Sequence, residues 1–164
     1  MNESIYELIR ANHNIEEDKK ESVSKERTFL LFSIQSGIYA VPSTSVRELL
    51  REVDVYPLPF VPPYIDGVLN RYGEPYVVID PSMLLNNEAQ DASLFLVFND
   101  DNKMCIRISD VYDFYTVPNE DIKFFLDKDK KVLFKGTFKY NDSEVPIIDQ
   151  NAVLEKVEKD FEKI

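Results

Sequence analysis

Apolar residues occur in short runs separated by polar turns and prolines, a pattern typical of a chain built mainly from β-strands. The runs at residues 29–34 and 38–41 flank Ser36 and Gly37 and predict a β-hairpin. Further strands are predicted at residues 65–70, 76–79, 95–98, 104–108, 111–117, 132–140 and 145–148. Four prolines between residues 56 and 64 predict a stiff, extended connection rather than helix or central strand.

Short helices are predicted between these strands and near residue 160. Ser45 and Glu48 have the spacing of a capping box, which predicts a short helix from there through Leu50. Pro81 suits the first turn of a helix that ends near residue 85. Apolar side chains recur on one face of residues 151–161 and predict a C-terminal helix; they are Val153, Leu154, Val157 and Phe161.

Residues 1–27 differ in character from the predicted folded region, residues 28–164. Ile5, Leu8 and Ile9 lie at positions i, i+3 and i+4, which predicts a short amphipathic helix. The charged polar run that follows predicts a linker. Two interpretations of this extension stay open: a frayed tail, and a helix that docks a partner.

An internal repeat relates two parts of the folded region. Gly67 precedes Asp80 by 13 residues and Gly136 precedes Asp149 by 13 residues, with an offset of 69 between the two segments. The same offset relates Val78 to Ile147, Ile79 to Ile148, Leu84 to Val153 and Leu85 to Leu154. Two similar β units, at about residues 28–85 and 94–155, are therefore predicted. We expect two small barrels that share one core, with strands able to cross between them.

Composition narrows the classes of function. The 19 Lys and Arg residues stand against 30 Asp and Glu residues, and this net charge of -11 argues against nucleic-acid binding, which needs clustered basic side chains. The single Cys105 excludes an internal disulfide, and the sequence has no Cys/His cluster typical of zinc sites. No apolar run approaches the roughly 20 residues that cross a bilayer, and no secretory signal is recognised. The expected location is the cytoplasm, without direct membrane insertion.

Candidate catalytic groups are few. Asp80 and Asp149 could form a carboxylate pair, but each follows a predicted strand and precedes a helical turn, so we expect both to cap helices. Cys105 lies in an apolar strand and is expected to be buried and inert. The only histidine, His13, lies in the N-terminal extension. No catalytic residue, metal site or cofactor is predicted.

The order of several motifs resembles the CheW-like domain family. Residues 57–73 are a proline-rich approach followed by Ile65-Asp66-Gly67-Val68-Leu69-Asn70-Arg71-Tyr72-Gly73, and Val77-Val78-Ile79-Asp80 comes soon after. The family typically has Gly-Val-Ile-Asn-Leu-Arg-Gly and then Pro-Val-Ile-Asp-Leu in these places. Matching segments also occur at residues 29–32, 46–49, 108–111 and 136–154, so the resemblance covers about residues 28–155.

The resemblance implies a fold of two SH3-like five-stranded β-barrels around a common core, with short helices and a C-terminal helix. It also implies a non-enzymatic adaptor that couples methyl-accepting chemotaxis receptors to a chemotaxis histidine kinase. The expected partners are the cytoplasmic helices of the receptors and the regulatory domain of the kinase, within membrane receptor arrays. Two alternatives stay open: a divergent scaffold in a non-motility signalling array, and a small-molecule-binding β-barrel.

Site residues follow from the same resemblance. The receptor-binding candidates are Val46, Glu48, Asn70, Arg71, Tyr72 and Val111, and the kinase-binding candidates are Ile65, Gly67, Leu69 and Gly73.

Three positions depart from the family pattern. Tyr72 occupies the place of the family's arginine, and Arg71 is displaced by one residue. One position along a strand reverses the side-chain face, so the family's ion pair with Glu48 is not expected here unless local twist brings Arg71 round. Ser109 stands where the family has an aspartate, and Val77 where it has a proline.

Overall fold

The structure is a computed structural model that describes residues 5, 7–9, 25–126 and 133–163. The first-half strands are β1 (Glu26–Ile34), β2 (Gly37–Pro42), β3 (Val46–Arg51), β4 (Val55–Tyr56), β5 (Ile65–Arg71) and β6 (Glu74–Ile79). The second-half strands are β7 (Leu94–Phe98), β8 (Met104–Ile108), β9 (Asp110–Pro118), β10 (Lys123–Phe124), β11 (Phe134–Tyr140) and β12 (Ser143–Ile148). The helices are α1 (Pro81–Leu85) and α2 (Gln150–Glu162), and 3₁₀ turns lie at Ser43–Ser45 and Asn119–Asp121.

The strands form two sheets that exchange hairpins between the two halves of the chain. Sheet A has the order β10-β11-β12-β2-β1-β9, and sheet B has the order β3-β7-β8-β6-β5-β4. The β1–β2 hairpin joins sheet A through a parallel contact between β2 and β12, and the β7–β8 hairpin joins sheet B through a parallel contact between β8 and β6. The chain is thus mainly β with two SH3-like subdomains, as predicted. Each sheet has six strands rather than the expected five, because a two-residue strand lies at one edge.

The strand register reproduces the offset of 69 seen in the sequence. In the β5–β6 pair, Ile65 lies opposite Ile79, and a bulge brings Gly67 opposite Val78. In the β11–β12 pair, Phe134 lies opposite Ile148, and a bulge brings Gly136 opposite Ile147. A β-bulge beside a glycine therefore occurs at the equivalent position in each sheet.

Both faces of β1 are buried, which explains the unbroken apolar run at residues 29–34. Leu30 and Phe32 point into a large cluster with members from both sheets, here called the shared core. Phe29 and Leu31 point the other way, into a smaller cluster inside sheet A. Strand β7 alternates in the same manner between the shared core and a cluster inside sheet B. The two barrels are therefore joined along a common apolar layer.

Both predicted aspartate caps are present. Asp80 Oδ1 accepts a hydrogen bond of 2.9 Å from Ser82 N at the start of α1. Asp149 Oδ1 accepts from the backbone N–H groups of Asn151 and Ala152 at the start of α2. Of the apolar residues predicted on one face of α2, Val153 and Val157 are buried, whereas Phe161 is 40% exposed.

The helix predicted from the capping-box spacing at Ser45 is wrong. Ser43–Ser45 form a 3₁₀ turn, and Val46–Arg51 form strand β3, which pairs with β7 from Val46–Phe98 to Arg51–Leu94. The segment forms a strand rather than a helix because pairing with β7 satisfies its whole backbone and buries Val46 and Leu49. A capping box can satisfy only two backbone donors.

The N-terminal extension contributes to the core. Residues 5 and 7–9 are helical, Ile9 is 3% exposed within the shared core, and Ile5 packs against it. Leu8, predicted on the same face, is 54% exposed instead. A frayed tail is therefore the wrong interpretation for these residues. His13 and the predicted linker lie outside the described residues. No helix in the described part of the chain is long and apolar enough to span a membrane.

Candidate protein interaction sites

Glu48 and Arg71 form an ion pair near the turn between β5 and β6. Arg71 Nε donates to Glu48 Oε1, and the two side chains are only 17% and 22% exposed. Three strands separate β3 from β5 in the order of sheet B, so this contact requires the sheet to curl round on itself. The hydrogen bond to Glu48 is the main cause of a raised Arg71 pKa, so the guanidinium is held in its charged form.

The displaced arginine does reach Glu48, which is the exception that the sequence analysis left open. The alternation rule applies within a strand, but Arg71 is the last residue of β5, and Tyr72 and Gly73 form the turn with φ of 51° and 83°. Asn70 Oδ1 accepts a 2.8 Å hydrogen bond from Gly73 N and fixes this turn. Tyr72 is left 86% exposed, beside the Arg71 guanidinium, which lies 4.7 Å from its ring centroid.

A second arginine, which sequence reasoning missed, joins the same surface. Arg47 Nη1 donates to the Tyr76 hydroxyl at 3.2 Å, and the Arg71 guanidinium lies 5.6 Å from the Tyr76 ring centroid. A β-bulge between Val46 and Glu48 breaks strict alternation in β3. Arg47 therefore contacts Tyr76 while the next residue, Glu48, contacts Arg71. We call the set Arg47, Glu48, Arg71, Tyr72 and Tyr76 the Glu48–Arg71 patch.

The receptor-binding candidates fall into two groups. Glu48, Asn70, Arg71 and Tyr72 come together at this end of sheet B. Val46 is fully buried and Val111 is 9% exposed, and both belong to the shared core. Val46 and Val111 thus contribute packing between the sheets.

The kinase-binding candidates on β5 present little side-chain surface. Ile65 and Leu69 are buried, and Gly73 lies in the turn. Gly67 has a φ of 139°, and a β carbon there would lie 2.0 Å from the carbonyl oxygen of Tyr56. Only glycine therefore allows β4 to cross so close to the bulge of β5.

Exposed apolar side chains occur on β4 and the loop that follows it. Tyr56, Leu58 and Phe60 are 59%, 38% and 89% exposed, and we call them the β4–β5 loop patch. Four prolines between residues 57 and 63 restrict the backbone that carries them. Sequence reasoning identified the stiff connection but missed the patch, although apolar residues interleaved with prolines were the available signal.

Sheet A carries a related surface. A β carbon at Gly136 would lie 2.5 Å from the Lys123 carbonyl oxygen, so β10 crosses β11 as β4 crosses β5. After this crossing Phe124 and Leu126 are 44% and 63% exposed, beside a groove of about 710 Å³. The residues lining it include Phe124, Phe125, Leu126, Phe134 and Pro146.

Ser109, another departure from the family pattern, belongs to a polar network beneath the loop at residues 86–93. Its hydroxyl accepts from Gln35 N at 2.7 Å and donates to Gln90 Oε1 at 2.8 Å. Gln90 in turn donates from its backbone and side chain to the buried carboxylate of Asp80. Ser109 therefore helps to fix this loop to the body of the domain.

Cys105 is buried, as predicted, and burial raises the pKa of its thiol to about 12. Within the described ranges, no group of three or more His, Cys, Asp and Glu residues is placed to hold a metal ion.

Comparison with known proteins agrees with this architecture. A family model for the CheW-like domain matches residues 28–158. A crystal structure of the scaffolding protein TtCheW from Thermoanaerobacter tengcongensis superposes with a TM-score of 0.67 at 19% identity, and covers 75% of this chain and 88% of that one. No curated protein matches the sequence. The family model spans most of the chain, and the chain therefore belongs to the CheW-like domain family.

Proposed function

We propose that this chain is a non-enzymatic adaptor that couples methyl-accepting chemotaxis receptors to a chemotaxis histidine kinase. The observation that carries the proposal is the Glu48–Arg71 pair, which forms on the family's fold although the arginine is displaced by one residue. The adaptor acts in the cytoplasm, at receptor arrays, and needs no cofactor.

The Glu48–Arg71 patch is the proposed receptor-binding surface. Arginine and tyrosine are among the side chains most enriched at positions that dominate binding energies. Tyr72 is 86% exposed and rests beside a guanidinium that Glu48 already holds in place, so little side-chain freedom is lost on binding. A helix with apolar and acidic side chains fits this combination of ring and positive charge.

The β4–β5 loop patch is the proposed kinase-binding surface. Strand β4 is the last strand of sheet B, so its outer edge is open to pairing within the described sheet. Tyr56, Leu58 and Phe60 add exposed apolar surface on a backbone that proline restricts. A folded regulatory domain can use both features, through edge pairing and through apolar contact.

The alternative of a divergent non-motility scaffold rested on the displaced Arg71. The ion pair between Arg71 and Glu48 forms, which weakens this reason for the alternative. The alternative therefore becomes one outcome of the binding test. The small-molecule alternative is likewise decided by whether the protein partners bind.

The test is a binding assay at moderate salt with the purified kinase regulatory domain and a receptor cytoplasmic fragment. We expect the natural protein to bind both. Glu48→Lys should weaken receptor binding at least about tenfold and leave kinase binding unchanged, since reversing a charge beside Arg71 destroys the patch. Phe60→Asn should weaken kinase binding and leave receptor binding unchanged, because it removes the exposed ring. Asparagine is chosen because it tolerates the φ of 58° at this position.

Glu74→Lys is the matched control for charge reversal. Glu74 forms an exposed ion pair with Lys103 near the same turn and should tolerate the change with both affinities intact. Circular dichroism establishes that each variant is folded. If the folded natural protein binds neither partner, the coupling proposal is wrong. If Glu48→Lys leaves receptor binding intact, the receptor surface lies elsewhere.

A further inference from the structure

The helical residues of the N-terminal extension bury aliphatic side chains in the body of the domain. Ile9 is 3% exposed and belongs to the shared core, as do Val153 and Val157 of helix α2. Ile5, one helical turn earlier, packs against the same core. These two side chains therefore occupy an apolar seat that would otherwise face solvent.

This contribution comes from outside the family domain. The family model begins at residue 28, whereas Ile5 and Ile9 precede that residue by 23 and 19 positions. The seat is thus filled by a segment that the family fold itself does not supply.

The N-terminal helix attaches to the core as a ligand does, rather than as a fixed structural element. Most helical stability in proteins comes from packing of an amphipathic face, so this helix depends on its contact with the core. Glu7 and Leu8 are exposed, and within residues 5 and 7–9 no side-chain hydrogen bond or ion pair to the remainder of the described chain accompanies the apolar contact. Among residues 5 and 7–9, the attachment comes from two aliphatic side chains, Ile5 and Ile9, which are four residues apart.

We propose that the shared core carries a helix-binding seat and that the chain's own N-terminal helix is its resident ligand. The seat accepts an amphipathic helix with aliphatic side chains at positions i and i+4. While Ile5 and Ile9 occupy it, the seat is closed to any helix of this type from another molecule. This inference goes beyond the proposed coupling function and does not depend on it.

The test uses the full chain and a labelled peptide of residues 1–14 as the probe. Ile9→Asp empties the seat, because a carboxylate cannot remain in an apolar core. Leu8→Asp is the matched control, since it places the same charge on the same helix at an exposed position. Fluorescence anisotropy should show the peptide binding Ile9→Asp at least tenfold more tightly than the natural protein or Leu8→Asp.

Hydrogen exchange gives an independent readout on helix α2. Amides at residues 153–157 should exchange at least tenfold faster in Ile9→Asp and regain protection when the peptide is added. Ile9→Ala provides a milder variant if Ile9→Asp fails to fold, with the same direction of change expected.

Three results overturn the proposal. The first is equal peptide binding by the natural protein and the Ile9 variants. The second is the absence of binding at millimolar peptide together with unchanged exchange at residues 153–157. The third is a concentration-dependent dimer of the natural protein that Ile9→Asp abolishes, which would place the helix on a second copy.

Discussion

Two glycines set how closely the short strands approach their neighbours. At Gly67 and Gly136 a β carbon would overlap the carbonyl oxygens of Tyr56 and Lys123, at 2.0 and 2.5 Å. The spaces are equivalent in the two sheets, although only Gly67 also has a positive φ. The absence of a β carbon at Gly67 and at Gly136 therefore determines where β4 and β10 lie. It also determines the positions of the exposed apolar side chains that follow these strands.

Gly67→Ala should destabilise the protein by about 3 kcal/mol, because the new methyl group meets rigid backbone and the φ of 139° is strained for alanine. Gly73→Ala is the control, since its φ is 83° but nothing lies within 4 Å of the new atom. That change should cost only about 1 kcal/mol. Urea unfolding followed by circular dichroism measures both, and equal losses would contradict the steric explanation.

Cys105 should resist alkylation in the folded protein. Burial raises its pKa from 9.0 to about 12, which lowers the thiolate fraction at pH 8 by about a thousandfold. Mass spectrometry after iodoacetamide treatment at pH 8 should find the native thiol unmodified and the urea-unfolded thiol modified. Rapid alkylation without urea would show that strand β8 opens readily.

At the scale of elements, helix α2 is held to the sheets by more than its apolar face. The Tyr64 hydroxyl donates a 2.6 Å hydrogen bond to Asp160 Oδ2, and Lys156 Nζ lies 3.2 Å from the same oxygen. Burial, followed by the contact with Asp160, raises the pKa of Tyr64. The hydrogen bond from Tyr64 and the contact with Lys156 lower the pKa of Asp160.

Tyr64→Phe should make this contact visible as a pH-dependent loss of stability. The raised pKa of Tyr64 gives stability that is present below its ordinary value of 10.0 and is lost as pH rises through the folded value. The lowered pKa of Asp160 gives stability that is present above its ordinary value of 3.8 and is lost as pH falls through the folded value. The difference between natural protein and variant should therefore be greatest between about pH 4 and 10.

Urea midpoints at pH 3, 7 and 10.5 measure this difference. Tyr112→Phe is the matched control, because it removes a hydroxyl from a tyrosine that is 54% exposed. A difference for Tyr64→Phe that stays constant across all three pH values would mean that the hydrogen bond contributes nothing to pH dependence.

Elements with strong local signals were predictable from the sequence, whereas those decided by distant partners were not. Asp80 and Pro81 start α1 with a local cap, and Gly73 supplies the turn after β5, so short-range chemistry was sufficient for both. Residues 46–51 carry a local helix signal but become β3, because the partner strand β7 begins more than 40 residues later. The Arg47–Tyr76 contact was missed for the same reason, since it depends on the curl of sheet B.

At the scale of the whole molecule, the two sheets cannot be separated into halves of the chain. Each sheet takes a hairpin from one half and completes it with strands from the other. Leu30 and Phe32 from sheet A and Leu96 and Phe98 from sheet B meet in the shared core. The repeat in the sequence anticipated this arrangement, but the order of strands in each sheet emerges only from the packing.

The protein should therefore unfold as one cooperative unit. Phe29→Ala and Phe95→Ala empty the interiors of different sheets, and each should cost about 3–5 kcal/mol. Hydrogen exchange in low urea should show both sheets losing protection together in either variant. Selective loss in the substituted sheet alone would contradict a common folding unit.

The interleaved strand order also has a consequence for synthesis on the ribosome. Strand β12 lies between β11 and β2, so the β1–β2 hairpin, made early, has no neighbour on its β2 side until residue 148 has been translated. During that interval β1, which is apolar on both faces, is without most of its final cover. Apolar surface of the β1–β2 hairpin thus stays exposed in the nascent chain until the β12 segment has been made.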